Sequence, residues 1–399
     1  MSWLTAVQAI AALGIRPQTL YANVSRKRIR AKPDPQDPRR SLYHEGDVRK
    51  LARRRSGARR AEEVAAGAME WGDPVLPSAV STVADGRLWY RGQDAIGLAK
   101  SKTLEDVAAV LWGADSGPVS EPHPKGAAAA ARSSGVQLHR SFGQLALKRA
   151  FAALASRASD DPPSYGRALS VLQMEARDVL ATLADAMLGA SREVCLHERL
   201  ARTWGRKEAG DILRRALVLL ADHELNASTF ATRVTVSTGA SLSAGVLAGL
   251  ATLTGPLHGG AAAGVRELMD RAVAQGAEVA VRACLAQGRP LGGFGHPLYP
   301  AGDPRARYLL EQLTLPREYV EVRDAVEEWV GERPNIDFAL AALTKTYRLP
   351  EEAPLIVFAV ARSVGWLAHA LEQITAGHLI RPRARYVGPG LAAGDGGRP

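Results

Sequence analysis

The stretch of residues 145–221 constrains the fold of this chain more than any other. It is rich in alanine and leucine at helical spacing and has few runs of β-branched residues, so it predicts packed helices rather than a sheet. With 46% hydrophobic residues over 399 positions, the chain can fill a sizeable core. We therefore expect a mainly α fold for its larger part.

The first sixty residues differ from the rest in charge. They hold fifteen Lys or Arg against four Asp or Glu, a local net charge of +11, whereas the remainder carries −1. Such a basic module favours a polyanionic partner. Apolar spacing from Thr5 to Leu13, a helix end at Gly14 and Pro17 in the first turn of a second helix predict two short helices joined by a tight turn.

The residues that follow resemble the wing of excisionase-like or MerR-like winged helix-turn-helix proteins. The resemblance rests on a basic run at 26–30, a proline-rich segment at 32–38 and the residues 39–48. It implies a set of DNA contacts, with groove-facing polar residues and phosphate-neutralising basic ones: Gln18, Thr19 and Asn23 in the groove, and Arg16, Arg26, Lys27 and Arg28 at phosphates. A basic interaction module that never touches DNA is the alternative.

Local signals also mark the start of the larger domain. Two short alternating runs flank Asp85-Gly86, a dipeptide typical of a two-residue hairpin turn. Thr103, three positions before Asp106, predicts a capping box that opens a helix.

Several classes of protein are disfavoured by the sequence. Cys195 and Cys284 are too few and too far apart for a disulfide framework or a zinc site, which favours a reducing cytoplasm. Residues 1–13 lack the features of a signal peptide. The uncharged run 234–265 is long enough to span a membrane, but Pro256 and His258 interrupt it, so it predicts a buried helix. No metal or nucleotide-phosphate motif is present.

Two histidines stand among glycines in the second half of the chain. His258 lies in Gly-Pro-Leu-His-Gly-Gly (255–260) and His296 in Gly-Gly-Phe-Gly-His (292–296), with Arg305 nine positions later. Glycines let a substrate approach an imidazole and permit backbone conformations closed to other residues. One such histidine would fit an ordinary loop, but the pair together with the arginine predicts a substrate site.

Three more polar residues interrupt apolar sequence. His223 lies in the cluster 222–230, which could equally be a helix-capping network. Asp337 stands among apolar residues, which should raise the pKa of its carboxyl and suit it to general-base catalysis, although an ordinary N-cap is the alternative. Arg362 lies in an apolar helix and needs an anionic partner, which could be an internal acid or a ligand.

Together these motifs resemble the citrate synthase family, which includes 2-methylcitrate synthases. The resemblance spans about residues 75–387 and includes 362–369 and the Arg-Pro-Arg at 381–383. It implies a mainly α homodimer with a large and a small helical domain that close over the substrates. The expected organisation is a winged helix-turn-helix module at 1–55, a linker at 56–75, a citrate synthase-like domain at 76–387 with a small subdomain at about 259–345, and a disordered tail at 388–399.

The resemblance also implies roles for the catalytic residues. His258 would hold the thioester oxygen of acetyl-CoA while Asp337 removes a methyl proton, and His296 would protonate the oxaloacetate carbonyl. This division is physically reasonable, because a carboxylate can remove such a proton only if the developing oxyanion is stabilised at the same time.

The substrate contacts follow in the same way. Oxaloacetate would be bound by His223, Arg305 and Arg362, with Arg381 supplied by the partner subunit. CoA would be met through backbone groups of Leu291, Gly293 and Gly295. The sequence departs from the family pattern on the CoA side, at Pro300, Ala262 and Ala339-Leu340.

The sequence thus predicts a citrate synthase that condenses acetyl-CoA with oxaloacetate, hydrolyses the citryl thioester and needs no bound cofactor or metal. Two alternatives stay open. A 2-methylcitrate synthase would use propionyl-CoA, and a difference of one methylene is worth only about 1–3 kcal/mol in a pocket. A DNA-binding metabolite sensor built on the same fold would need the arginines but not the base Asp337. We expect a cytoplasmic protein.

Overall fold

A computed structural model of the chain describes residues 3–13, 20, 23–24, 29–34, 41–49, 76–113, 142–191, 195–259, 262–384 and 388. The chain divides into two compact units, one of Met1–Pro77 with Arg383–Pro399 and one of Ser78–Pro382. The expected linker and all of the expected tail except residue 388 lie outside the described residues. The same holds for six of the seven residues expected to contact DNA: Arg16, Gln18, Thr19, Arg26, Lys27 and Arg28.

The N-terminal unit contains a small antiparallel sheet and a helix. Its elements are β1 (Trp3–Leu4), α1 (Ala6–Leu13), β2 (Ala31–Pro33) and β3 (Ser41–His44), with strand order β1-β3-β2. The first predicted helix is confirmed as α1. Of the second, residues 20 and 23–24 are described, and they are helical. A small apolar core holds these elements together: Ala9, Leu13, Leu20, Ile29, Tyr43 and Val48.

The larger unit opens with a β hairpin. Strands β4 (Ser81–Ala84), β5 (Arg87–Tyr90) and β6 (Gln93–Asp94) form an antiparallel sheet in that order. Asp85 and Gly86 form the turn between β4 and β5, with φ angles of 51° and 68°. The predicted hairpin turn is therefore confirmed, because a two-residue turn with both φ positive matches the twist of the strands.

Helices make up most of the rest of the described part of this unit. The predicted capping box is confirmed, since the Thr103 side chain accepts from the Asp106 N–H and the Asp106 side chain accepts from the Thr103 N–H. A single turn of 3-10 helix covers Lys207–Ala209. The α-helices are α2 (Ala95–Ser101), α3 (Leu104–Trp112), α4 (Phe142–Asp160), α5 (Leu169–Leu188), α6 (Leu196–Thr203), α7 (Gly210–Leu220), α8 (Ala227–Ser237), α9 (Leu242–Leu253), α10 (Ala262–Gln275), α11 (Ala277–Ala286), α12 (Pro304–Leu310), α13 (Arg317–Val330), α14 (Ile336–Thr346) and α15 (Ala353–Ala376).

Helix α15 lies at the centre of the main core. It packs against α3, α5, α7, α8 and α9, and most of its residues are buried. Among the described helices it alone is long and apolar enough to cross a membrane, and 94% of its most apolar window is buried inside the protein. Its apolar character therefore matches its place as a core helix. The uncharged run 234–265 is divided among α8, α9 and α10, and α9 contributes buried residues to the core, as predicted.

A second apolar core lies in residues 265–342, where α10, α11, α13 and α14 pack together. Helix α14 serves both cores. Phe338 and Ala342 belong to the second core, whereas Ile336 and Leu340 belong to the main one. A helix that is apolar on most of its faces has to be covered on most of its faces. The start of α14, which contains Asp337, therefore lies between the main core and the second core.

Candidate active site

His258 lies in the turn that follows α9 and contacts a buried hydroxyl. Its Nε2 is 2.8 Å from Oγ of Ser228. The Ser228 hydroxyl also lies 2.8 Å from Oδ1 of Asn226 and accepts a hydrogen bond from Nε1 of Trp366 at 3.1 Å. Burial, reinforced by the charge of Arg362, lowers the pKa of His258 to about 4. The imidazole is therefore neutral near pH 7.

The direction in which the Ser228 hydroxyl donates its single proton decides which nitrogen of His258 carries the imidazole proton. If Ser228 donates to Asn226, His258 donates from Nε2. If Ser228 donates to Nε2 of His258, the imidazole keeps its proton on Nδ1 and can donate it elsewhere. Ser228 is thus in a position to set the tautomer of the first predicted catalytic histidine.

His296 and His223 form an aromatic cluster with Tyr299. The rings of His223 and His296 lie 5.1 Å apart at 85°, and those of His296 and Tyr299 lie 5.0 Å apart. Nε2 of His223 is 2.9 Å from the Tyr299 hydroxyl. The Leu298 N–H donates to Nδ1 of His296 at 3.2 Å, which places the proton of the neutral ring on Nε2.

Burial and nearby arginines keep both histidines neutral. Burial, with a further contribution from Arg305, lowers the pKa of His296 to about 4. Burial, followed by Arg305 and Arg362, lowers the pKa of His223 well below its ordinary range. Near pH 7 both imidazoles can therefore donate or accept hydrogen bonds without carrying a charge.

Arg305, in the first turn of α12, is already paired. Its Nε and Nη2 donate to the two carboxylate oxygens of Asp303 at 3.0 and 2.8 Å, and both side chains are almost fully buried. Asp303 also accepts from the Ile336 N–H at 3.2 Å, which ties the start of α12 to the start of α14. The guanidinium carbon of Arg305 lies 5.4 Å from the centre of the Tyr299 ring.

Arg362 differs from Arg305 in making no ion pair with any residue that the structure describes, although the charge of the buried Asp222 acts on it. It lies in the middle of α15 with 1% of its surface exposed. Its Nε donates to the Leu220 carbonyl at 3.0 Å, and among the described residues no acceptor is bonded to its two terminal nitrogens. Burial lowers the pKa of Arg362 to about 10, so it stays charged near neutral pH. A planar guanidinium with two unused donors fits a carboxylate ligand.

Asp337 is the second residue of α14 and not its N-cap. The N-cap is Asn335, whose side chain accepts from the Asp337 N–H at 3.0 Å, so the N-cap alternative for Asp337 is wrong. Among the described residues none donates a hydrogen bond to the Asp337 carboxylate. Burial raises the pKa of Asp337 to about 6, although Arg305 and Arg362 act in the opposite direction. An unbonded carboxylate with this pKa is suited to accept a proton.

Asn335 joins the helix of Asp337 to the loop that precedes His296. Its side-chain amide donates to the Gly295 carbonyl at 3.0 Å and its backbone N–H donates to the Gly293 carbonyl at 2.8 Å. Gly293 has φ 87°, and a Cβ there would lie 2.8 Å from Cγ2 of Val265. Only glycine allows this backbone to pack so closely. The predicted acid and the predicted base are therefore held on one rigid framework.

Six of the residues predicted from the sequence lie together. The charge of Arg362 acts on His223, His258 and Asp337, and the charge of Arg305 acts on His223, His296 and Asp337. Three neutral histidines, a carboxylate with a raised pKa and two buried cations thus share one site. Such a set can bind a small polycarboxylate, accept a proton from carbon and stabilise the oxyanion that forms.

The other predicted residues lie outside this group. Leu291 is buried, and Gly293 and Gly295 form the loop described above. Arg381 is exposed and makes no ion pair with any described residue. The family resemblance assigns its role to the site of the partner subunit.

A cavity of about 780 Å³ is lined by Gly259, the residue after His258, and by residues of α10, α13, α14 and the start of α15. Leu291, Gly293 and Gly295 do not line it. Its ionic lining is largely neutralised, since Arg266 pairs with Glu351 and Lys345 lies 3.6 Å from Glu318.

Several side chains that contact the predicted site residues had no individual role in the sequence prediction. Tyr299, Ser228, Trp366 and Phe358 contact the predicted histidines or arginines. Trp366 stands four positions after Arg362, so helical spacing could have placed it on the same face. Nothing in the sequence alone signalled the contact between Ser228 and His258, which lie 30 positions apart.

The alternative that the cluster 222–230 is a helix-capping network holds for one residue of the cluster, Asn226. Asn226 is the N-cap of α8, where its side chain accepts from the Thr229 N–H. His223 instead faces Tyr299. Asp222 is fully buried, and its Oδ2 lies 3.2 Å from Nε2 of His369. This buried pair fixes the loop of His223 against α15, where Gly365 donates its N–H to the Ala221 carbonyl.

The raised pKa of Asp337 predicts an acid limb in the pH profile of the reaction. The base works only when deprotonated, so kcat/KM should rise with pH up to about 6, where Asp337 titrates, and level off above it. His258 and His296 have pKa values of about 4 and should add no transition between pH 6 and 8. Initial rates measured from pH 5 to 8 at constant ionic strength check this. A profile that is flat down to pH 5 would contradict the assignment of the base.

Comparisons with known proteins agree with this geometry. The family model described as "Citrate synthase, C-terminal domain" matches residues 68–383. The Bacillus subtilis protein named Citrate synthase 2 is 32% identical over 346 residues, which cover 78% of this chain and 93% of that protein. The crystal structure of citrate synthase from Thermotoga maritima aligns with a TM-score of 0.61 at 26% identity, covering 80% of this chain and 94% of that one.

A further solved structure has a similar fold. It is a ternary complex of citrate synthase from Thermoplasma acidophilum with carboxymethyl coenzyme A and oxaloacetate. Its TM-score to this chain is 0.64 at 23% identity, with 80% of this chain and 95% of that chain covered. At this identity the likeness concerns the fold.

Proposed function

The chain belongs to the citrate synthase family, and we propose from that premise that it condenses acetyl-CoA with oxaloacetate and releases citrate and CoA. The observation that carries the proposal is the Asp337 carboxylate, which is unbonded and has a raised pKa beside two neutral histidines and two buried arginines. The substrates are oxaloacetate and an acyl-CoA. The chain is an acyltransferase whose chemistry requires no further cofactor.

Oxaloacetate binding rests mainly on Arg362. The two terminal nitrogens of this guanidinium have no protein acceptor in the described part of the chain, so they are available to donate hydrogen bonds to a substrate carboxylate. Arg305 has given two of its donors to Asp303 and has fewer left for the ligand. His223, held by Tyr299, supplies a neutral donor. In this proposal the ketone of oxaloacetate lies next to His296.

The condensation begins with proton removal from acetyl-CoA. Asp337 takes a proton from the methyl carbon, and the negative charge that develops on the thioester oxygen is stabilised by the Nδ1–H of His258. That tautomer requires Ser228 to donate to Nε2 of His258 instead of Oδ1 of Asn226, and both acceptors lie 2.8 Å from its hydroxyl oxygen. The donor matters because a carboxylate is too weak a base to remove this proton unless the oxyanion is stabilised as it forms.

Carbon–carbon bond formation then uses His296. The enol carbon attacks the ketone carbon of oxaloacetate, and the Nε2–H of His296, fixed by the Leu298 N–H on Nδ1, protonates the ketone oxygen. Water next cleaves the carbon–sulfur bond of the citryl thioester, which yields citrate and the free CoA thiol. Closure over the substrates of the two regions that contain the main core and the second core would exclude water until the condensation is complete.

The choice of acyl donor is tested by measuring the release of CoA thiol. Purified protein with oxaloacetate is expected to turn over acetyl-CoA with a higher kcat/KM than propionyl-CoA. A preference for propionyl-CoA would make the chain a 2-methylcitrate synthase. If neither thioester is consumed while oxaloacetate still binds, the catalytic proposal fails and the metabolite-sensor reading replaces it.

We also propose that the chain forms a homodimer in which Arg381 acts on the partner's site. The support is an apolar strip at the start of α5, where Tyr165 is 83% exposed and Met174 is 58% exposed, with Leu169 and Val171 between them. Exposed apolar patches of this kind mark interaction surfaces. Light scattering should give twice the chain mass for the native protein and a smaller mass for Met174→Glu. A monomeric native protein would end this proposal.

A second proposed function is DNA binding by the N-terminal unit, through a winged helix-turn-helix. The supporting observation is the local charge of +11 in the first sixty residues. We expect the full chain to bind duplex DNA with an affinity that falls steeply with salt. Arg26→Ala with Lys27→Ala should weaken binding and lower the slope of log K against log salt by about 2. Equal binding by both proteins would refute the proposed phosphate contacts.

A further inference from the structure

A cluster of three side chains with different donor atoms lies where the N-terminal ends of α3 and α6 meet. Glu105 belongs to the first turn of α3, Cys195 is the N-cap of α6, and His197 is the second residue of α6. One oxygen, one sulfur and one nitrogen from these residues lie within 4.8 Å of one another. None of the three residues belongs to the candidate active site.

The backbone explains how these residues come together. One carboxylate oxygen of Glu105, Oε1, accepts a hydrogen bond from the Leu196 N–H at 2.7 Å. This bond satisfies a free N–H at the start of α6, and it places residues 91 positions apart in the sequence side by side.

Two polar atoms of the cluster are buried without a partner in the described part of the chain. They are Oε2 of Glu105 and Nδ1 of His197. The Glu105 side chain is 8% exposed, so water does not freely replace the missing partner. An unsatisfied buried polar group costs about 1–3 kcal/mol, and two of them at one point indicate an absent common partner.

A cation accounts for this arrangement better than a proton does. A proton on Oε2 of Glu105 could be donated to one neighbour only. A divalent cation contacts the carboxylate, the imidazole and the thiolate at once, and its charge balances the two anionic ligands.

We propose that Glu105, Cys195 and His197 bind a zinc ion. A set of one sulfur, one nitrogen and one oxygen is typical of Zn²⁺ rather than Mg²⁺ or Ca²⁺, which prefer oxygen alone. Bonds of about 2.0–2.3 Å place tetrahedral ligand atoms roughly 3.3–3.8 Å apart, so small rotations of the three side chains would complete the site. Binding releases the thiol proton of Cys195 and leaves one position for water.

The role of this site is structural. The ion joins the first turn of α3 to the first turn of α6 and so closes a long segment of chain, which stabilises the folded state against the unfolded one. The prediction from cysteine spacing did not identify it, because Cys195 and Cys284 lie far apart and two of the three ligands are not cysteines.

The site is tested with cobalt as a probe on the full chain. Protein stripped with a chelator is titrated with Co²⁺, and the thiolate-to-cobalt charge-transfer band is followed. One equivalent should bind to the native protein with this band. Cys195→Ser should lose the band, and Glu105→Gln should weaken binding by about 10-fold or more. The matched control is Cys284→Ser, which removes the other cysteine and should behave like the native protein.

A second measurement covers the case in which these variants fail to fold. Native protein is alkylated with and without Zn²⁺, and modification of each cysteine is read by mass spectrometry. Zinc should protect Cys195 and leave the modification of Cys284 unchanged. The proposal is overturned if native protein shows no charge-transfer band, if the band is lost in Cys284→Ser and retained in Cys195→Ser, or if zinc leaves the alkylation of Cys195 unchanged.

Discussion

Replacing Asp337 with asparagine is expected to lower kcat by about 10²- to 10⁴-fold, the usual contribution of a general base. Asparagine has nearly the same shape but cannot take a proton from the acetyl methyl group. The substitution should leave the fold intact, because no described residue donates a hydrogen bond to the Asp337 carboxylate and the Asp337 N–H keeps its bond to Asn335. Release of CoA thiol at saturating substrates measures the effect.

The control for this variant is Asp324→Asn. Asp324 is an exposed residue of α13 whose one ion pair within the described part of the chain is with its neighbour Arg323, so the same chemical change there should leave kcat within about 2-fold. Binding of oxaloacetate to Asp337→Asn, followed by calorimetry, separates loss of the base from collapse of the site. If Asp337→Asn keeps more than about a tenth of the native kcat, another group removes the proton.

Replacing Arg362 with methionine is expected to raise the KM for oxaloacetate by roughly 100-fold or more. Truncating one partner of a buried charge pair costs about 2–5 kcal/mol, and here the pair exists only when the substrate carboxylate is bound. Initial rates over a range of oxaloacetate concentrations give the KM. An unchanged KM would show that the binding of oxaloacetate does not depend on the Arg362 guanidinium.

The same substitution at Arg305 provides a matched comparison in stability. Arg305→Met leaves the buried Asp303 without its cation and should lower the free energy of unfolding by about 3–5 kcal/mol. Arg362→Met loses one hydrogen bond to the Leu220 carbonyl and the attraction of the buried Asp222, but it breaks no ion pair among the described residues, so it should lower the free energy of unfolding by less than Arg305→Met does. Denaturant unfolding of both variants measures this. Equal destabilisation would mean that Arg362 is bound within the protein as tightly as Arg305.

Local signals in the sequence predicted local structure well. Asp85-Gly86 gave the hairpin turn because positive φ at two successive positions needs such residues. Thr103 and Asp106 gave a helix start because the capping bonds span only three positions. The alanine- and leucine-rich stretch at 145–221 predicted helices because its apolar residues recur at helical spacing, which puts them on one buried face of each helix. None of these depends on distant parts of the chain.

What the sequence determined about this protein is its helical class, its local caps and turns, and the kinds of side chain that its chemistry needs. Only the tertiary structure decided which of them meet and in what state. Asp303 neutralises Arg305 but not Arg362, Ser228 reaches His258, and Glu105 reaches Cys195. The physical reason is that pKa values and ion pairs depend on burial and on distances of a few ångströms, which packing of remote segments sets.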